Sequence, residues 1–214
     1  GLPRGPAVHL RADRGVPQAD NAPFSTWADQ GGMGVDALAP ADANRPKVVL
    51  GAANGFPAVR FDAADAGLVF NDAVVPMRRP LVIFTVSRYT PGGAYRGRLL
   101  QGMGENWFHG LWSNRHAFYS AGWVWQDEAN VGNEDWELDV SVSAPDRSTF
   151  RYNGEFMADT AALVLDPLRL AMGVFGRYSE RADADIAELL VYHRELSPQE
   201  IVNVEAYLAT KYGL

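Results

Sequence analysis

The chain has 214 residues, no cysteine and a formal net charge of −7. With 47% hydrophobic and 21% charged residues it has the composition of a folded globular protein, and its length suits a single all-β domain. The lack of cysteine excludes a disulfide framework and a thiolate zinc site. The acidic balance argues against nucleic acid as a partner, because phosphates are bound by clustered Lys and Arg.

The sequence carries no targeting or membrane pattern. No apolar run reaches the roughly 18 residues that a membrane span needs. A secretory leader has a charged segment, then an apolar segment, then small residues, and the first residues of this sequence lack that order. A mature protein or an excised domain begins in this way. We therefore expect residues 1–214 to be one domain of a larger exported protein, located outside the cell, in the periplasm or at the cell surface.

Short apolar runs separated by turn residues follow one another along the chain. Such a series predicts many short strands, and therefore a β-sandwich or a barrel. The runs are residues 7–12, 48–50, 58–61, 67–70, 81–86, 98–100, 117–119, 136–142, 149–152, 168–174 and 186–192.

Two of these runs and one turn carry a more specific pattern. Residues 81–86 are apolar without alternation, which predicts a strand buried on both faces. Residues 136–143 alternate apolar with polar side chains, which predicts one core face and one face, with Glu137 and Asp139, in water. The pair Asn153–Gly154 predicts a two-residue hairpin, because both central positions of such a turn need positive φ.

The last apolar run is followed by a helix with a signal at each end. Ser197 is a good N-cap, Pro198 suits the first helical position, and Glu200 completes a capping box with Ser197. Apolar residues then recur at helical spacing over residues 201–212. Gly213 can adopt the left-handed conformation that ends a helix, so the sequence predicts a C-terminal α-helix.

Four segments resemble, in order, those of bacterial laminin-G-like domains of the concanavalin A-like lectin/glucanase superfamily. They are residues 27–37 (WADQGGMGVDA), 54–62 (NGFPAVRFD), 150–155 (FRYNGE) and 185–214, which begin DIAELLVYHREL. The resemblance implies an all-β, two-sheet antiparallel jelly-roll sandwich with one C-terminal α-helix at its edge. It implies little about function, because one sandwich hosts lectins, enzymes and inert spacers.

A cluster of aromatic residues is the main candidate for a binding site. Five of the six tryptophans lie between residues 107 and 136, interleaved with amide, imidazole and guanidinium groups. Sugars stack their apolar C–H faces on aromatic rings and bond their hydroxyls to such polar groups. The candidate glycan-binding residues are Trp107, Trp112, Asn114, Arg115, His116, Trp123 and Trp125.

The orientation of these tryptophans decides between two interpretations. Trp123 and Trp125 are two positions apart, so in a regular strand they share one face. If the tryptophans are exposed, the cluster favours a non-catalytic carbohydrate-binding or adhesion module of an exported bacterial protein, with a glycan as its partner. If they are buried, the rings belong to the core, and the chain is a structural or protein-interaction module with no glycan ligand.

The acidic segment 126–135 is a candidate calcium site. Calcium takes six to eight oxygen ligands, and several carboxylate and amide side chains lie close together here. The spacing does not match an EF-hand, and a solvated acidic loop is the alternative. The candidate ligands are Asp127, Glu128, Asn130 and Asp135.

A third hypothesis is a glycan-cleaving enzyme of the same fold. Glucanases of the superfamily carry Glu, Asp and Glu at alternate positions of one strand, which places nucleophile and acid on one face. Here Glu137 and Asp139 match the first two positions, but Ser141 occupies the third, so the general acid is missing. Glu188 lies where family members carry an acid, and there we expect a structural hydrogen-bonding role.

Overall fold

The computed structural model describes residues 2–62, 64–71, 77–127, 134–161, 165–175, 178 and 180–214. Over these residues the chain forms strands and one C-terminal α-helix, with a short 3-10 turn at Asp42–Asn44. The elements are β1 (Val8–Arg11), β2 (Thr26–Trp27), β3 (Ala37–Leu38), β4 (Lys47–Gly51), β5 (Gly55–Phe61), β6 (Gly67–Phe70), β7 (Leu81–Tyr89), β8 (Leu100–Gly102), β9 (Trp107–Trp112), β10 (Arg115–Ser120), β11 (Trp123–Gln126), β12 (Glu137–Ser143), β13 (Arg147–Tyr152), β14 (Glu155–Ala161), β15 (Leu170–Gly173), β16 (Ala184–Tyr192) and α1 (Pro198–Tyr212).

The strands form two antiparallel sheets of eight strands each within the described residues. One, called here the helix-bearing sheet, has the order β14-β13-β12-β7-β16-β5-β4, with β1 also paired to β16. The other, called the facing sheet, has the order β11-β10-β9-β8-β15-β6-β3-β2. The prediction of a two-sheet antiparallel sandwich with one C-terminal helix is confirmed. Of the described helices, none has the length and apolar character to cross a membrane.

Apolar side chains form two separate clusters, one on each side of the helix-bearing sheet. The larger lies between the two sheets and includes Ile83 and Trp107, while the smaller lies between the helix-bearing sheet and α1 and includes Phe84 and Leu208. Strand β7 sends alternate residues to the two clusters, since successive side chains of a strand point to opposite faces. All of residues 81–86 are buried, which confirms the prediction from their unbroken apolar run.

The helix begins and ends where its local sequence predicts. The Ser197 hydroxyl accepts a hydrogen bond from the Glu200 N–H, and the Glu200 carboxylate accepts one from the Ser197 N–H at 2.8 Å. Gly213 closes the helix with φ of 74°. The Asn153–Gly154 hairpin is also confirmed, with φ of 46° and 84° at its two central residues.

Strand β12 is oriented differently from the prediction that one of its faces lies in water. Its apolar residues Leu138 and Val140 pack in the smaller cluster, against the side that carries α1. Its polar face points between the sheets, where Glu137 and Asp139 are only 3% and 0% exposed. The prediction was wrong because a helix that is distant in sequence covers the face carrying the apolar residues. The polar face is then left to form part of the interior.

Candidate functional site

The aromatic cluster predicted from the sequence lies on β9, β10 and β11, at one end of the facing sheet. Strands β9 and β10 are joined by a two-residue turn in which Ser113 and Asn114 both have positive φ, at 50° and 62°. Trp107 and Trp112 lie five positions apart on β9, so they point to opposite faces. Trp107 belongs to the core between the sheets, and Trp112 lies on the outer surface, partly exposed.

A β-bulge separates Trp123 from Trp125. Phe118 of β10 pairs with Trp125, but the next residue pairs with Trp123, which leaves Val124 as the extra residue of β11. Trp123 therefore points outward and is 40% exposed. Trp125 points inward and stacks on Phe150, with ring centroids 5.2 Å apart. The prediction that the two tryptophans share a face is wrong, because it assumes an unbroken strand.

Three rings remain on the outer surface and form what we call the aromatic platform: Trp112, Tyr119 and Trp123. The ring centroids of Trp112 and Trp123 are 4.9 Å apart, and Tyr119 meets Trp123 edge to face at 5.2 Å. Phe108, which is buried, lies 5.8 Å from Trp123 and supports the platform from below. A contiguous aromatic surface of this kind is typical of an interaction site.

The Trp112 ring is held in place by residues that are distant in sequence. Its indole N–H donates to the Glu180 carboxylate at 3.0 Å, and Arg98 Nε donates to the same carboxylate oxygen at 2.6 Å. The Arg98 guanidinium also lies 4.5 Å above the Phe108 ring. Because these contacts fix the ring before any ligand arrives, little side-chain entropy is lost when a ligand stacks on it.

A cleft of about 520 Å³ opens beside the platform and shares Trp112 with it. Its walls come from residues 94–97, the 112–114 turn and residues 180–181. Two walls approach closely at Gly97, whose N–H donates to the Arg181 carbonyl at 2.8 Å. A Cβ at Gly97 would lie 2.3 Å from that carbonyl oxygen, so only glycine permits this approach.

The structure places the predicted binding residues in two different environments. Asn114 lines the cleft, and Arg115 pairs across the hairpin with Trp112 at the surface. Trp107, Trp125 and His116 lie between the sheets instead. They contribute nothing to the outer surface, because strand alternation and the β11 bulge turn them inward.

His116 takes part in a buried polar network between the sheets. Its Nδ1 lies 3.0 Å from both oxygens of Asp139, and its Nε2 contacts Glu137. Glu137 also accepts a hydrogen bond from the Tyr152 hydroxyl at 2.5 Å. Burial alone would lower the pKa of His116, but the carboxylates of Asp139 and Glu137 outweigh it and raise the pKa to about 10.

A second histidine of the same layer behaves in the opposite way. His109 lies 2.9 Å from the Thr85 hydroxyl and has no carboxylate partner among the described residues. Burial, together with the charge of His116, lowers the pKa of His109 to about 3. The layer between the sheets thus encloses two imidazoles whose pKa values are shifted in opposite directions. Glu137 and Asp139, the two carboxylates that match the glucanase pattern, are covered by β9 and β10 and are closed to a glycan in this structure.

The residues predicted to bind calcium are only partly described. Asp127 follows β11, with its N–H donating to the His116 carbonyl at 3.0 Å, and Asp135 is exposed just before β12. Glu128 and Asn130 lie outside the described residues. Among the residues that are described, no group of three or more His, Cys, Asp or Glu side chains is arranged to hold a metal ion. The calcium site stays a prediction.

No family model matches the sequence, and no curated protein does either. Solved structures match its fold. The ligand-binding domain of botulinum neurotoxin serotype D, solved with N-acetylneuraminic acid, aligns with a TM-score of 0.64 and 10% identity over 94% of this chain and 50% of its own. The binding domain of Paraclostridial mosquitocidal protein 1 aligns with a TM-score of 0.67 and 11% identity, over 95% of this chain and 52% of its own. Trypanosoma rangeli sialidase, in complex with a difluoro-KDN compound, aligns with a TM-score of 0.63 and 14% identity, over 95% of this chain and 32% of its own.

The chain spans about half the length of the two toxin domains and about a third of the sialidase. At such low identities these likenesses establish a shared fold and nothing finer.

Proposed function

We propose that this chain is a non-catalytic carbohydrate-binding module that stacks a sugar ring on the aromatic platform. The observation that carries the proposal is the pair formed on the outer face of the facing sheet by Trp112, which is partly exposed, and Trp123, which is 40% exposed. A pyranose presents an apolar C–H face of the size of one indole ring. Two adjacent indoles can therefore accept neighbouring sugars of a glycan, or one sugar and its substituent.

Polar groups around the platform suit the hydroxyls of a bound sugar. The Glu180 carboxylate is exposed at the edge of Trp112, and Asn114 lies in the adjoining turn. A carboxylate accepts hydrogen bonds and a side-chain amide both donates and accepts, which is the mixture that sugar hydroxyls require. An apolar surface with a few fixed polar groups at its rim is the usual composition of a small-ligand site.

The structural neighbours make a glycan the first class of ligand to test. One of them is a toxin domain solved with N-acetylneuraminic acid, and another is a sialidase. The resemblance of the sequence to laminin-G-like domains belongs with the same proposal, as does a place in an exported bacterial protein. Calcium bound by the acidic segment 126–135 would supplement the platform, so its contribution is tested separately.

The first experiment is binding of the purified protein to a broad glycan array, in calcium and again in EDTA. For a glycan identified in this way, we expect Trp112→Ala and Trp123→Ala each to weaken binding roughly tenfold, the loss of about 1.4 kcal/mol of stacking. Phe156→Ala is the matched control, because Phe156 is an aromatic residue that is 57% exposed on the other sheet. Isothermal titration calorimetry measures all three variants.

The outcomes separate the hypotheses. Binding that survives both tryptophan substitutions would place the sugar elsewhere on the molecule. Binding that is lost in EDTA would make the acidic segment part of the site. If the folded protein binds no glycan in either condition, the proposal is wrong, and a structural or protein-binding role takes its place.

A further inference from the structure

The cleft beside the aromatic platform contains an arginine that the rest of the protein leaves largely uncommitted. Two neighbouring arginines are each paired with a carboxylate, although Nη1 of Arg96 is a buried donor without a partner. Arg96 donates to Glu134 at 2.6 Å, and Arg98 donates to Glu180 at 2.6 Å and to Asn106 at 2.8 Å. Their charges are therefore balanced within the protein itself.

Arg181 differs from these two. Its nearest carboxylate oxygen belongs to Asp183 and lies 3.9 Å away, which is beyond hydrogen-bond distance. The other oxygen of Asp183 accepts from the backbone N–H groups of Ala94 and Tyr95 at 2.8 and 3.1 Å. No described residue accepts a hydrogen bond from the Arg181 side chain, and its Nε is a buried donor without a partner.

The guanidinium of Arg181 is nevertheless held in a defined position. It stacks on the Tyr95 ring, with Cζ 3.3 Å from the ring centroid, and its own backbone carbonyl accepts from Gly97. Both Tyr95 and Arg181 line the cleft that shares Trp112 with the platform. A stacked guanidinium keeps the donors at its outer edge free, and their planar fork matches the two oxygens of a carboxylate.

The chain as a whole is negatively charged, which affects how it can bind an anionic ligand. With a net charge of −7 the protein repels anions in general, so a negatively charged ligand needs a specific cationic contact. A prepositioned guanidinium next to a sugar-stacking ring supplies that contact. We infer that the cleft is a subsite for an acidic sugar, whose carboxylate pairs with Arg181 while its ring or the adjoining sugar stacks on Trp112. This inference rests on the proposed glycan-binding function.

Matched pairs of sugars test the inference by titration calorimetry. One arm compares 3′-sialyllactose with lactose, and the other compares a glucuronic-acid-containing oligosaccharide with its neutral counterpart, so the two sources of a sugar carboxylate are distinguished. We expect the wild-type protein to prefer the acidic member of at least one pair about tenfold, as for a charge-assisted hydrogen bond. The preference should shrink as the salt concentration rises.

Variants assign the preference to its residue. Arg181→Gln should remove the preference and leave the affinity for the neutral sugar unchanged, whereas Arg181→Lys should keep part of it. Trp112→Ala should weaken the binding of both members of a pair. Arg147→Gln is the control, because Arg147 is an exposed arginine on β13 of the other sheet and its loss should change neither affinity. Circular dichroism and thermal unfolding confirm that each variant is folded.

The failures are distinguishable. Equal binding of acidic and neutral sugars overturns the inference about Arg181 and leaves the platform intact. A preference for the acidic sugar that persists in Arg181→Gln also overturns it, because another residue then binds the carboxylate. If the folded wild-type protein binds neither sugar class on the array, the proposed function fails and the inference fails with it.

Discussion

The most unusual residues of this protein are the charged groups buried between its two sheets. His116 is enclosed with Asp139 and Glu137 in the layer between the sheets, where the larger apolar cluster also lies. Buried charges persist only when each has a close partner, because desolvation of an unpaired ion is costly. Placing the imidazole of β10 opposite the two carboxylates of β12 meets that condition and links the two sheets.

This network predicts a specific dependence of stability on pH. The pKa of His116 is about 10 in the folded protein and about 6.5 when unfolded, so its protonated form favours folding. The contribution is complete below about pH 6.5 and is lost as the pH rises toward 10. We expect the free energy of unfolding to fall on the order of 3 kcal/mol more in wild type than in His116→Gln over that interval.

Urea denaturation at a series of pH values measures this difference. His193→Gln is the control, because His193 lies outside the network, and its pH dependence should follow that of the wild type. Parallel curves for wild type and His116→Gln would show that the imidazole is not charged inside the fold.

Glu188 is a second buried residue with many partners, and it has the hydrogen-bonding role expected from the sequence. Its carboxylate accepts from His9, Tyr207, Lys211 and Tyr212 at 2.6 to 3.1 Å. Burial would raise the pKa of Glu188, but His9 and Lys211 outweigh it and lower the pKa. We expect Glu188→Gln to cost about 2–4 kcal/mol of unfolding free energy at neutral pH, because Lys211 loses a buried partner.

That loss should diminish on acidification. A carboxylate whose pKa is lowered by folding stabilises the protein above its unfolded pKa and ceases to do so as the pH falls through the folded value. Denaturation at pH 7 and at lower pH therefore tests both the size and the sign. Glu195→Gln, an exposed change in the loop before α1, should have almost no effect at either pH.

At the scale of elements, the helix α1 depends on its contact with the helix-bearing sheet. Its buried residues Val204, Leu208 and Tyr212 belong to the same apolar cluster as Phe84 of β7 and Tyr192 of β16. A helix of 15 residues is marginal alone in water, so packing of this apolar face provides most of its stability.

Truncation of the buried face should therefore be far more damaging than truncation of the exposed face. We expect Leu208→Ala to cost about 2–5 kcal/mol, from lost burial and the cavity that is left. Val202→Ala, at a position that is 46% exposed, should change stability by about 0.5 kcal/mol or less. Chemical denaturation followed by circular dichroism compares the two. Equal effects would mean that the helix is not docked by this face.

At the scale of the whole molecule, the two sheets are covered unequally. The helix-bearing sheet is covered by the facing sheet on one side and over part of the other by α1, whereas the far end of the facing sheet leaves β9, β10 and β11 open on their outer side. The aromatic platform lies on that open surface. Its exposure is consistent with the packing of α1 on the other sheet, since a helix on the facing sheet would have buried it.

This unequal covering predicts the response of the tryptophans to a quencher. Trp27 and Trp107 are fully buried, whereas Trp123 is 40% exposed. We expect Trp123→Phe to remove much of the red-shifted, acrylamide-quenchable fluorescence, and Trp107→Phe to leave that fraction in place. Steady-state quenching of the two variants measures it. A quenchable fraction that is unchanged in Trp123→Phe would mean that the platform is covered in solution.

The sequence by itself determined the features that rest on local chemistry. Ser197, Glu200 and Gly213 specify both ends of the helix, because capping groups and a left-handed residue act within one turn. Asn153–Gly154 specifies a hairpin, because its two residues tolerate positive φ. The order of short apolar runs predicted the sandwich, since a sheet with one apolar face has to bury it against another layer.

Only the tertiary structure decided which way side chains face and which distant residues meet. The polar face of β12 turned inward because α1, some 60 positions later, covers its apolar face. Trp125 turned inward because of one extra residue, Val124, whose bulge no local pattern marks. Glu180 reached Trp112, and Arg181 reached the same cleft, from nearly 70 positions away, through the backbone bonds that join residues 180–182 to residues 96–98. Alternation along a strand shows which side chains share a face. Which of the two faces is buried depends on how the layers pack.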